Sequence, residues 1–168
     1  MAKFINNIGF LAYAICFLSL ICLAYGETPF VVEGKVYCDS CRVQFMTKLS
    51  NFIKGATVKL ECKDRVGGKV TYTEEATTDA SGHYEIQVDG DHEDEICEVL
   101  PVKAPDGDCN EISTDKFNRN AARISLTTHN GIANDRREAN PIGFLKKERS
   151  IECVEVLREM GITAAGLV

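Results

Sequence analysis

From Val32 to Val88, apolar residues recur at every second position between short polar turns, a period that predicts strands rather than helices. Val32, Gly34, Val36 and Cys38 alternate with Glu33, Lys35 and Tyr37, so the first strand carries Cys38 on the face of the valines. In the next, Ala56, Val58, Leu60 and Cys62 face inward while Thr57, Lys59 and Glu61 face outward. A turn over 64–68 leads to a threonine-rich strand over 70–78 with the look of a sheet edge. The turn Asp79-Ala80-Ser81-Gly82 precedes a strand with Tyr84, Ile86 and Val88 on one face. An acidic turn precedes 96–102, and Ala122, Ile124 and Leu126 alternate in a further strand that ends at the hairpin pair Asn130-Gly131. Short strands at this spacing predict an all-β antiparallel barrel or sandwich of about six to eight strands.

Two segments have helical spacing instead. Val43, Met46, Leu49, Phe52 and Ile53 suggest a helix or irregular structure before Gly55. Near the C-terminus, Ser150 is placed to cap a short helix with Ile151, Val154, Leu157 and Met160 on one stripe, stopped by Gly161.

The N-terminus changes the picture by naming a compartment. One early charge at Lys3, an apolar run from Ile8 to Leu23, and the small residues of Ala24-Tyr25-Gly26 have the layout of a secretory signal. A transmembrane anchor is the competing reading, since the run approaches the length that spans a bilayer. The cleavage-like Ala-x-Gly favours removal, giving a signal over 1–26 and a single domain over 27–168. Removing 26 of the 168 residues leaves 142, enough for a real core. It also removes one of the 19 basic residues, so 18 face 25 acidic ones, a balance of about −7. That sign argues against nucleic acid or an anionic membrane surface as partner.

Cys16 and Cys22 leave with the signal, and Cys38, Cys41, Cys62, Cys97, Cys109 and Cys153 remain. An even number in a secreted chain reads as a disulfide framework, with 15 pairings open. The Cys38-x-x-Cys41 pair invites redox or zinc chemistry, but a thioredoxin-type site needs a helix start, and Asp39 disfavours a thiolate. Zinc needs a second close ligand pair, and the other four cysteines are isolated. Structural disulfides are expected. On a continued strand the two cysteines point to opposite faces, which suits different distant partners.

The loop Asp89-Gly90-Asp91-His92-Glu93-Asp94-Glu95 has the carboxylates that calcium requires but not the EF-hand spacing, so a solvated turn is expected. His83, His92 and His129 are scattered, and no nucleophile or metalloprotease motif accompanies them. Arg136-Arg137 has the form of a processing site, but an exposed ion-pairing surface is the preferred reading. No Asn-x-Ser/Thr acceptor occurs. No catalytic residue, cofactor or metal site is expected.

Glu33-Gly34-x-Val36-Tyr37-Cys38-Asp39-x-Cys41-Arg42 resembles the hallmark of the Ole e I family of secreted plant proteins, known as pollen allergens and anther-specific proteins. Gly55-Ala56-x-Val58-x-Leu60-x-Cys62, Asp94-x-Ile96-Cys97, Val102-Lys103-x-Pro105 and Asn140-Pro141-x-Gly143-Phe144 are similar to the family pattern too. The resemblance spans the mature chain and is close to the goosefoot-type allergens. It implies a barrel closed by Cys38–Cys109, Cys41–Cys153 and Cys62–Cys97. The absent glycan acceptor means that carbohydrate-mediated recognition of some relatives does not transfer. A weaker likeness to transthyretin-like sandwiches, from Gly55 to Val58 and Thr78 to Tyr84, also implies a scaffold without catalysis.

The resemblance implies a non-enzymatic extracellular protein acting in pollen development or tube growth. Its expected partner is a protein, a receptor-kinase ectodomain or a wall component, met by loops 89–95, 103–108 and 129–140. An apoplastic protease or hydrolase inhibitor is the alternative.

Overall fold

The computed structural model of the chain describes residues 30–105, 107–114, 120–163 and 166–167. The expected signal, 1–26, lies outside them. Among the described residues no helix is long and apolar enough to cross a membrane.

The first sheet is organised about β1 (Phe30–Asp39), whose inward residues Phe30, Val32 and Val36 are buried. Strands β2 (Asn51–Phe52), β3 (Thr57–Asp64), β4 (Val70–Thr77), β5 (His83–Val88) and β6 (Glu95–Lys103) follow. After them come β7 (Cys109–Glu111), β8 (Ala122–Ile124), β9 (Arg136–Glu138), β10 (Ile142–Lys146) and the helix α1 (Cys153–Glu159). A two-residue pair, β11 (Ile162–Thr163) with β12 (Gly166–Leu167), follows the helix. The first half of β1 pairs with β5 antiparallel and β9 parallel, and its second half with β10 parallel and β2 antiparallel. β7 extends the sheet beyond β10. The second sheet, in the order β4-β3-β6-β8, is antiparallel throughout.

The fold is the mostly-β arrangement that the alternation requires, with two sheets closing on one core. Val58, Leu60 and Val99 from one sheet meet Val32, Ile86 and Phe144 from the other. Each such side chain contributes roughly 1.5–3 kcal/mol when fully buried. β4 is an edge strand, as its exposed threonines suggested.

Three details depart from the sequence reading, and one resolves an alternative that it left open. β1 takes two parallel neighbours, because β9 and β10 return to it by long crossings rather than hairpins. The Asn130-Gly131 turn closes no hairpin, since β8 pairs with β6 while β9 pairs with β1 in the other sheet. Segment 43–53 is irregular and ends in β2; left-handed backbone at Arg42 and Gln44 breaks any helix there. The stripe expected on α1 holds only at Leu157. Ile151 is 90% and Val154 69% exposed, while Cys153, Val156 and Leu157 point inward, because Cys153 is tied to Cys41.

A stapled junction and a loop clasp

Tyr37 and Tyr84 explain why β1 and its neighbour need glycines. Tyr84 lies opposite Gly34, and Tyr37 lies opposite Gly143. A Cβ on Gly34 would sit 2.5 Å from the Tyr84 hydroxyl, and one on Gly143 2.7 Å from the Tyr37 ring, so each ring occupies the space that a side chain would take. Burial, with the Asp39 charge adding to it, pushes the Tyr37 hydroxyl up to about 12.

The chain then turns sharply on Asp39, which is fully buried. Its Oδ1 accepts the Cys41 amide at 3.1 Å and its Oδ2 the Gln44 amide at 2.6 Å. These bonds hold the left-handed backbone at Arg42 (φ 57°) and Gln44 (φ 62°). Arg42 in turn donates to both Glu111 oxygens, at 2.6 and 3.0 Å, and to the Lys146 carbonyl at 2.5 Å. The turn sends the two cysteines apart: Cys38 bonds Cys109 and Cys41 bonds Cys153, across 71 and 112 residues of sequence. Cys62 bonds Cys97, its direct neighbour on the adjacent strand. All six cysteines are therefore held in disulfides, with no free thiol among the described residues for redox chemistry or zinc.

At the opposite end of β3, loop 89–95 is bonded rather than merely solvated. Asp91 Oδ2 accepts the Thr127 hydroxyl at 3.2 Å, the Thr128 amide at 3.2 Å and the Thr128 hydroxyl at 3.3 Å, while Oδ1 accepts the Glu93 amide at 2.9 Å. Burial pushes this carboxyl up, but the bonds from Thr128, Glu93 and Thr127 outweigh it and leave it below its ordinary value. His129 Nδ1 lies 2.8 Å from Glu93 and 4.0 Å from Asp91. Arg65 donates to the Glu93 carbonyl at 2.7 Å. Beneath them His92 bonds Glu95 at 2.7 Å and lies edge-on to the Tyr72 ring, 5.0 Å between centroids. The two loops wall a cleft of about 710 Å³ lined by Arg65, Glu93, Arg123, His129 and Asn130.

Asp91, Glu93 and His129 sit close enough to share a cation, and so do Glu33, His83 and Glu85. In both groups the carboxylates already have protein partners. Arg136 bridges Glu33 and Glu85, and His83 lies 3.8 Å from Glu33. The Arg136 bond lowers the Glu33 carboxyl against the effect of its burial. Histidine and carboxylate thus meet at His83, His92 and His129, but among the described residues no serine or threonine hydroxyl bonds a histidine ring in a nucleophile arrangement.

Arg137 is a correction. Expected at the surface beside Arg136, it is only 4% exposed. Its guanidinium donates to the carbonyls of Ser125 at 3.2 Å and Thr127 at 3.1 Å, and stacks 4.8 Å over the Phe30 ring. It thereby fixes the strand exit that delivers Thr127 and Thr128 to Asp91. The alternation Arg136-out, Arg137-in was the available signal, hidden by the charge. Thr127, Thr128 and Arg65 gave no signal at all.

Loops 89–95 and 129–140 therefore meet at one end, since residues 125–130 form the clasp and Arg136 and Arg137 pin the rest. Loop 103–108 lies at the other end, where Pro105 approaches the position of a Gly55 Cβ to 3.4 Å. Asp106 within it is outside the described residues.

Comparison with known proteins gives a consistent result. A family model described as pollen protein Ole e 1 like matches residues 28–161. The chain is 56% identical over 151 residues to an Olee1-like protein of Betula pendula, covering 90% of this chain and 91% of that one. It is 49% identical over 150 residues to the pollen allergen Che a 1 of Chenopodium album, covering 89% of each. The crystal structure of the major plantain pollen allergen Pla l 1 superposes with a TM-score of 0.67 at 34% identity, over 73% of this chain and 98% of that one.

Proposed function

The chain belongs to the Ole e 1-like family of pollen proteins, and from that premise we propose that it is a secreted, non-enzymatic recognition protein of the pollen or pollen-tube surface. The observation that carries this reading is the clasp. Two loops that differ in sequence position by some forty residues are pre-ordered by Asp91 into one polar wall around an open cleft. Pre-ordering lowers the entropy that association costs, and loops on a rigid sheet are where binding residues collect. The partner is an extracellular protein, a receptor-kinase ectodomain or a wall protein. The cleft carries both signs, Glu93 beside Arg65, Arg123 and His129, which suits a partner face of mixed charge.

The test is a binding screen of the disulfide-intact mature protein against a panel of plant receptor-kinase ectodomains, with Asp91→Ala alongside. Capture of an ectodomain at micromolar concentration by the wild type, weakened in the variant, is the expected result. No partner, or one that binds the variant equally, overturns the reading. The inhibitor alternative is checked by the same protein against a plant protease panel.

A further inference from the structure

The end of the sheet opposite the clasp carries cations with no carboxylate partner. Arg42, Lys48, Lys59, Lys63, Arg136 and Arg158 are all ion-paired. Lys54, Lys146, Lys147 and Arg149 have no such pairing among the described residues. These four line two adjoining clefts of about 500 and 550 Å³, which share Lys146 and Asp108 as their common wall. The first cleft also has Phe52, 45% exposed, with Asn51 beside it.

We infer that this groove binds a linear acidic oligosaccharide whose uronate carboxylates repeat along the chain. Three features select that chemistry. The cations follow one another along the groove, from Lys54 through Lys146 to Lys147 and Arg149, so they match charges spaced along a polymer rather than one compact dianion. Asp108, Glu148 and Glu152 stand among them, which opposes a densely charged strand such as nucleic acid but tolerates carboxylates one sugar apart. Phe52, with the Lys35 ammonium 4.9 Å from its ring centroid, offers its remaining exposed surface to the apolar face of a pyranose, and Asn51 an amide for its hydroxyls. The groove rests on the most constrained part of the fold, because Cys38 and Cys109 form its floor.

The experiment is a calorimetric titration of the disulfide-intact protein with a decamer of α-1,4-linked galacturonic acid, at low and moderate salt. Saturable binding is expected, weakening as salt screens the pairs. Lys146→Glu/Lys147→Glu lowers affinity about tenfold or more, since it removes two exposed ion pairs and adds repulsion. Phe52→Ala also weakens binding, with an unchanged melting temperature showing that the fold survives. Lys69→Glu/Arg123→Glu, which changes net charge equally at the far end of the sheet, leaves affinity as it was. The proposal is overturned by an absence of binding, by equal binding of a carboxyl-reduced decamer, by equal loss in the Lys69/Arg123 control, or by tighter binding of an oligonucleotide.

Discussion

At the Thr57 end of β3, the chain's distant parts are joined covalently. Cys38 and Cys41 leave one sharp turn and reach Cys109 and Cys153, and the turn itself is locked by a buried carboxylate and by Arg42. At the Asp64 end, loop is joined to loop by hydrogen bonds and ion pairs on half-exposed side chains around Asp91 and His129. Cys62–Cys97 lies nearer that end but links residues already paired across β3 and β6, so it ties neither loop. The covalent ties at one end persist under any condition that preserves disulfides, whereas the other end is held only by contacts that depend on ionised carboxylates. The difference separates two tasks on one scaffold: a constrained base, and a pre-ordered yet adjustable face.

The largest effect is expected from removing the longest staple. Cys41→Ser/Cys153→Ser, which opens a loop spanning 112 residues, should cost roughly 5 kcal/mol by chain entropy, against roughly 4 for Cys62→Ser/Cys97→Ser with its separation of 35. Guanidinium unfolding of the two variants checks the order; a reversed order breaks the contrast between the ends.

Next comes Arg137→Met. It leaves the Ser125 and Thr127 carbonyls without their charged donor and should cost about 2–3 kcal/mol. Arg136→Met, which breaks only solvent-exposed ion pairs, should cost much less. Thermal melts separate the two, and the Arg137 variant should also lose protection at Thr128.

Asp91→Ala should cost about 1 kcal/mol and loosen only the clasp. Its acid dependence sharpens the point. Hydrogen bonds hold the folded Asp91 carboxyl below its unfolded value, so its contribution is complete above about pH 4 and is lost as pH falls through that value toward the folded one. Wild-type stability should therefore decline more steeply on acidification than that of Asp91→Ala.

The last effect, silent at neutral pH, sits at the stapled end. Tyr37 titrates at about 12 when folded and near 10 when unfolded, so its neutral form stabilises the fold below pH 10. That contribution disappears as pH rises from about 10 to about 12. Phenolate absorbance should show Tyr37 ionising only there, and Tyr37→Phe should remove that part of the alkaline decline.

Much of the scaffold was legible because it depends on local alternation. Val32, Val58, Leu60, Tyr84 and Val88 all face the core as their spacing required. The phase of α1 was not legible, because a covalent tie at Cys153 overrides the apolar stripe. Nor was the inward turn of Arg137, since the Phe30 ring and the Ser125 and Thr127 carbonyls that receive it come from other elements of the chain. The acidic loop was visible as composition, whereas its bonding to Thr127 and Thr128 depends on two sheets meeting. The basic groove was hidden by averaging: a net acidic balance says nothing about where unpaired lysines gather.

Amide hydrogen exchange of the disulfide-intact protein at neutral pH and near pH 3, corrected for intrinsic rates, tests the division between the two ends most directly. The amides of Thr128 and Glu93, which Asp91 accepts, should lose protection on acidification, while those of Val36 and Ile53, bonded to backbone carbonyls beside the staples, keep theirs. Equal loss at both ends, or full protection of Thr128 at low pH, would contradict the account.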